Sequence, residues 1–152
     1  MNVKYSFIVP VYNRPNEIKE LLESFLVMQV SSTYEIVIVE DGSTISSEEV
    51  ILEYASNLNI LYLKKQNTGP GDSRNYGMQS ANGSFFLVLD SDVVMPPHYL
   101  VAVDAYLDQN QVDCFGGPDA AEENFSAIQK AINFTMTSFL TTGGIRGKEK
   151  SV

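Results

Sequence analysis

The sequence predicts an α/β fold, a doubly wound and mostly parallel sheet with helices on both faces. Three observations predict it. Short β-branched apolar runs alternate with segments of helical periodicity five times along the chain, the pattern of right-handed strand–helix–strand crossovers. The strand-length runs are almost unbroken in apolar residues, as in strands covered on both faces. Acidic and turn-forming residues gather just after several of these runs, at the end where such sheets bind ligands.

The elements follow in order. Residues 5–11 (YSFIVPV) form the first strand. Pro15 suits a first helical turn, and Ile18, Leu21, Leu22 and Phe25 recur behind it at helical spacing. Residues 35–39 (EIVIV) make the second strand, closed by Glu40, Asp41 and Gly42. Ser46 or Ser47 can cap a second helix, whose positive end Glu48 and Glu49 complement. Residues 59–63 read as a third strand, and residues 72–81 as a third helix after a Gly-Pro-Gly turn. Residues 84–89 (SFFLVL) form the fourth strand, ending in Asp90, Ser91 and Asp92. Pro96 and Pro97 open a helix reaching Leu107, and residues 112–115 make a fifth strand. A long amphipathic helix covers residues 123–140, and a tail without periodicity follows. The layout is Rossmann-like.

At 152 residues the chain holds about one domain. Its 44% hydrophobic content excludes disorder for most of the length. The single cysteine, Cys114, excludes an internal disulfide and fits a reducing, cytoplasmic compartment. Buried in the fifth strand, it reads as a small hydrophobe. No apolar run is long enough to span a membrane, and the first residues lack the charged segment and cleavage site of a signal peptide. Ten basic against 19 acidic residues leave a net charge of −9. That balance argues against a nucleic-acid or anionic-lipid partner. An anionic ligand would need a cation to reach this chain.

The strand ends carry the chemistry. Tyr12, Asn13 and Arg14 follow the first strand, Glu40 and Asp41 the second, Asp90 and Asp92 the fourth. They converge on one edge of the sheet. If the fourth strand continues, Asp90 and Asp92 project from one face roughly 6–7 Å apart. Carboxylates so close repel unless a proton or cation intervenes. Magnesium or manganese suits them, being hard ions held by one or two carboxylates plus substrate phosphates. Each acid taken singly also reads as a cap or a solvated turn residue. Their convergence is what favours a site.

These residues bring a resemblance with them. FIVPVYNR (residues 7–14), VIVEDGS (37–43), NTGPGDSRNYG (67–77) and LVLDSD (87–92) resemble, in order and spacing, the nucleotide-binding half of family 2 glycosyltransferases with the GT-A fold. The resemblance spans most of residues 4–118. It implies transfer of a sugar from a nucleotide-diphosphate sugar to an acceptor hydroxyl, metal-dependent and inverting, in polysaccharide or glycoconjugate synthesis. It implies a donor site in which the Pro10, Val11, Tyr12 and Asn13 turn lines the nucleobase, with Arg14 nearby. Asp41 would accept a hydrogen bond from the base imide. Uracil offers that donor, as do thymine and guanine, and uracil is the base expected. Arg74 would lie near the nucleotide, and Gly69 and Gly71 would let the backbone approach it. Asp90, followed by Ser91, would meet the ribose or the water shell of Mn2+ or Mg2+. Asp92 would bind that metal.

The resemblance divides the chain into a donor-binding α/β domain, residues 1–118, and the start of an acceptor-side region, residues 119–152, cut short. The family's acceptor-side acidic base is not matched: beyond Asp119 the acids are Glu122, Glu123 and Glu149. No catalytic base is therefore assigned within the chain, which is expected to bind donor without efficient transfer. Asp119, in the Gly-Gly-Pro-Asp loop, is the candidate for acceptor contact, and the acceptor itself is open. The parent protein is expected at the inner face of a membrane. Apolar surface left uncovered would favour self-association. Two other readings stay open. A haloacid-dehalogenase-like phosphatase would use Asp90 as nucleophile and Asp92 as acid–base group, but places that pair on its first strand. A receiver-like signalling domain would need an aspartate where this chain has Leu63, Lys64 and Lys65.

Overall fold

β1 (Tyr5–Val11) runs through the middle of the sheet, and all seven of its residues are buried. In this computed structural model, which describes residues 2–116 and residue 134, β1 is followed by α1 (Pro15–Val27), β2 (Tyr34–Asp41), α2 (Glu48–Tyr54), β3 (Ile60–Lys65), α3 (Pro70–Ser80), β4 (Phe85–Val88) and α4 (Tyr99–Gln109). The strands lie in the order β3-β2-β1-β4, all parallel, with Val9 opposite Ile38 and Phe7 opposite Leu87. The order reverses between β1 and β4. That reversal is where doubly wound sheets open a ligand crevice.

Alternation along β1 sends neighbouring side chains to opposite faces. On one face Phe7 meets Phe25 of α1 edge-on at 4.8 Å and approaches Tyr34 and Tyr99. Ile18, Leu21 and Leu22 complete the buried side of α1. On the other face Ile8, Val37 and Val39 form a buried cluster with Met78 and Ala81 packed against it. Gly77 lets α3 sit flush there: a Cβ would stand 2.8 Å from Ile8 Cγ2.

Pro10 explains how the crevice opens. The Ile8 carbonyl accepts from Leu89 N–H at 3.0 Å, on the β4 side. Two residues on, Pro10 faces the same side and has no N–H to give. The ladder ends there and the two chains part. The opposite end of the sheet is locked. Asp104 accepts from Lys4 Nζ and Tyr5 Oη, each at 2.6 Å, and from Ser31 and Ser32. Burial alone would raise its carboxyl pKa, but these donors hold it far below the usual range.

Several sequence expectations shift. Ser47 is the N-cap of α2, yet its side chain makes no capping bond; Ser46 Oγ instead accepts from Glu48 N–H at 3.2 Å. The helix after Pro96 and Pro97 begins only at Tyr99, because two prolines hold the approach in a turn. Residues 112–115 form no strand: with Asp113 among them and Val112 and Phe115 partly exposed, they pair with no described strand. Cys114 is accordingly exposed rather than buried. β4 is the outer strand among the described residues, so Phe85, Phe86 and Val88 are exposed where an unbroken apolar run suggested double cover.

Residues 1–105 form one compact unit and residues from Tyr106 onward a second. In the second, the Tyr106 and Phe115 rings approach to 5.3 Å. The helix expected over residues 123–140, the tail, and the region from Asp119 onward lie outside the described residues. Among the described residues no helix is long and apolar enough to cross a membrane.

Candidate functional site

The crevice at the carboxyl ends of the strands is a cavity of about 400 Å³, a volume within the usual range for small-molecule sites. β1 supplies Pro10 and Val11, and the turn after it Tyr12 and Arg14. β2 supplies Asp41 at its last position, and α3 brings Pro70 and Arg74. The turn after β4 supplies Asp90, Ser91 and Asp92. All of these belong to the first compact unit. Tyr12 stands 49% exposed at the rim, a ring free to stack on a planar ligand.

Asp41 is the buried charge of the site. Its Oδ1 accepts from Lys65 Nζ and from Thr68 N–H at 3.0 Å, and its Oδ2 from Gly69 N–H at 2.9 Å. Burial pushes this carboxyl up, but Lys65 and the two amides outweigh it and hold Asp41 below the usual range. Thr68 Oγ1 and Lys65 in turn reach Asp72. Lys65 and Thr68 are partners of Asp41 that the strand-by-strand reading missed. The signal was available: Lys65 closes β3, one of the strand ends where polar residues gather.

Asn13 and Gly69 do not line the cavity; they build its walls. Asn13 has a φ of +55°, a left-handed conformation that asparagine tolerates better than most residues. Its Oδ1 accepts from Thr44 N–H at 2.7 Å and Ile45 N–H at 2.9 Å, and its own N–H donates to Ser43 Oγ at 2.8 Å. Ser43 donates onward to Glu40, a buried carboxylate that also takes Ser47 N–H and Tyr62 Oη. The loops after β1 and β2 are thereby stitched together beneath Tyr12 and Arg14. Gly69, at φ +95°, caps α3 with its amide turned to Asp41. Gly71 has open space around it, so crowding does not require glycine there.

The acid pair departs from the geometry assumed for it. β4 ends at Val88 and Ser91–Asp92 form a turn, so strand spacing does not set the separation of Asp90 and Asp92. Their side chains are 65% and 55% exposed, so burial does not demand a cation either. Each has found an arginine: Arg74 Nη2 meets Asp90 Oδ1 at 2.6 Å and Arg14 Nη1 meets Asp92 Oδ2 at 2.9 Å. Among the described residues no third histidine, cysteine or acid completes a cage with them. Two carboxylates of hard oxygen are nonetheless the donor set magnesium and manganese accept when phosphates and waters fill the remaining positions. The residues present fit such an ion.

Residues 6–151 match the model of Glycosyl transferase family 2. An uncharacterized glycosyltransferase of Rickettsia felis is 41% identical over 91 residues, 60% of this chain and 15% of that protein. The poly(ribitol-phosphate) beta-N-acetylglucosaminyltransferase TarS of Staphylococcus aureus is 34% identical over 114 residues, 73% of this chain and 20% of that protein. The chain thus spans a fifth or less of the length of these two relatives. The crystal structure of TarS 1-349 in complex with UDP-GlcNAc superposes with a TM-score of 0.67 at 30% identity, over 80% of this chain and 39% of that one. A mannosyltransferase from Pyrobaculum calidifontis, in complex with GDP-Man and Mn2+, shares the fold at a TM-score of 0.62 and 21% identity, over 70% of this chain and 33% of that one. The phosphatase and receiver readings find no support in these matches. The acid pair follows the fourth strand rather than the first, and Lys65 stands at the end of β3.

Proposed function

Because the chain belongs to glycosyl transferase family 2, with the parallel sheet and flanking helices of GT-A transferases, we propose that its cavity binds the nucleotide-diphosphate sugar donor, a UDP-sugar. The observation that carries this is Asp41. It is a buried acceptor, kept ionised by Lys65 and two amides, on the wall of the cavity that Tyr12 overhangs. A carboxylate there accepts a hydrogen bond from the imide N–H of uracil, while cytosine and adenine offer an unprotonated ring nitrogen that it repels. The similarity to TarS, whose structure holds UDP-GlcNAc, supports the same base.

The remaining residues divide the donor between them. Tyr12 stacks on the base, Pro10 and Val11 shape its slot, and Ser91 with Asp90 lies on the ribose side. Asp92, with Asp90, would hold Mn2+ or Mg2+. Such an ion supplies neutralisation of the charge that builds on the leaving diphosphate. Arg14 and Arg74 stand on the same rim, with guanidinium donors for phosphate oxygens. Attack by an acceptor hydroxyl from the face opposite the diphosphate would invert the anomeric centre. The base for that step is expected on the acceptor side, beyond residues 2–116, where Asp119 remains the candidate for acceptor contact.

Calorimetry with UDP, GDP and dTDP, each with and without manganese, tests the reading. UDP is expected to bind most tightly and only weakly without metal. Asp92→Ala is expected to abolish the metal-dependent part of UDP binding, with the fold intact. Equal affinity in that variant, or tight UDP binding in EDTA, would overturn the metal assignment.

A further inference from the structure

Both carboxylates of the acid pair are already partnered, and by arginines from two different elements. Arg14 belongs to the turn after β1 and reaches Asp92; Arg74 belongs to α3 and reaches Asp90. Each contact uses a single guanidinium nitrogen, although the fork carries five donors and prefers to bind in pairs. Arg74 Nε is buried and has no acceptor among the described residues. Ion pairs as exposed as these are weak and exchange readily. The rim therefore holds two acids and two bases in provisional pairing, with donors to spare.

Charge balance says what would rearrange them. Arg14 and Arg74 balance Asp92 and Asp90, as Lys65 balances Asp41 in the wall below. A nucleotide sugar adds one negative charge for each phosphoryl group, and a divalent cation offsets them; either one alone leaves the rim unbalanced. Resting on the donor reading above, we propose that Arg14 and Arg74 are exchange partners. They hold Asp92 and Asp90 until cation and diphosphate arrive together, then transfer their donors to the phosphate oxygens as the two acids turn to the cation. The arginines thus compete with the metal and cooperate with the nucleotide. Metal and nucleotide binding are in consequence coupled, each raising the affinity for the other by the same factor. Positive charge on the rim makes an acidic protein selective for the metal–diphosphate unit over either part.

The test is titration calorimetry of wild type, Arg14→Gln and Arg74→Gln with manganese alone and with UDP at saturating manganese. Manganese alone is expected to bind about two- to fivefold more tightly to each variant, because a competing counter-ion is gone. UDP with manganese is expected to bind about tenfold more weakly, because phosphate donors are gone. Opposite signs in one variant are the signature. A scaffolding role would lower both affinities together, and that result overturns the exchange, as does unchanged manganese affinity. Arg14 lies on an exposed turn, so Arg14→Gln and Arg14→Lys keep the test open should Arg74→Gln fold poorly. The lysine variant is expected to keep manganese affinity near wild type. If wild type takes no UDP with manganese, the donor reading fails; if it does and the variants show no opposition of sign, only the exchange fails.

Discussion

Lys65 is a small part of the chain with a large electrostatic duty. Its ammonium is the counter-charge to a carboxylate that is almost wholly enclosed. Burial lowers the Lys65 pKa, but Asp41 and Asp72 outweigh it and raise the value above normal. In Lys65→Met, Asp41 keeps only the amides of Thr68 and Gly69, and the variant is expected to lose about 2–4 kcal/mol at neutral pH. The sign with pH follows from the depressed Asp41 pKa. Stability from this group is present above its ordinary value of 3.8 and disappears as pH falls through the lower folded value. Urea melts across pH should show the deficit of the variant shrinking in acid; a deficit that grows there would contradict the assignment. Asp41 was legible in the sequence as a polar residue closing a strand. Lys65 was legible in the same way, but its pairing with Asp41 was not, because the register of β2 with β3, Asp41 opposite Lys65, is a fact of tertiary structure.

Among elements, the two loops joined by Asn13 stand out. They carry Tyr12 and Arg14 on one side and Ser43 to Ile45 on the other, and one amide side chain ties them. Asn13→Ala removes that tie and leaves a β-carbon at positive φ, with an expected cost of about 1–3 kcal/mol. Asn13→Gly removes the tie but relieves the backbone, so its melting temperature should fall less than that of the alanine variant. Both should weaken UDP binding, since the wall bearing Tyr12 is loosened; a fully retained UDP affinity would show that the loops are held by other means. Strand and helix positions were mostly legible because apolar runs and helical spacing are local. The fifth strand was misread for the same reason. A short apolar stretch becomes a strand only with a ladder partner, and residues 112–115 have none among the described residues. Arg14 and Arg74 were visible as residues, but their pairing with Asp92 and Asp90 was not, so the repulsion within the acid pair seemed to require a metal.

At the scale of the whole molecule, a net charge of −9 is set against an exposed apolar edge at Phe85, Phe86 and Val88. Mutual repulsion keeps copies apart when screening is slight, whereas apolar contact is indifferent to it. Raising salt from about 0.1 M to about 1 M, which shortens the Debye length from about 10 Å to about 3 Å, is expected to promote self-association in sedimentation velocity. Phe86→Lys, which places a charge on that edge, should suppress it. Salt-independent sedimentation of the unmodified chain would remove the edge as a contact surface. Among the described residues, every side chain that lines the cavity comes from residues 10–92, inside a single compact unit. On the proposed donor reading, nucleotide recognition is a module of that unit, and acceptors could change around it without altering how the nucleotide is held.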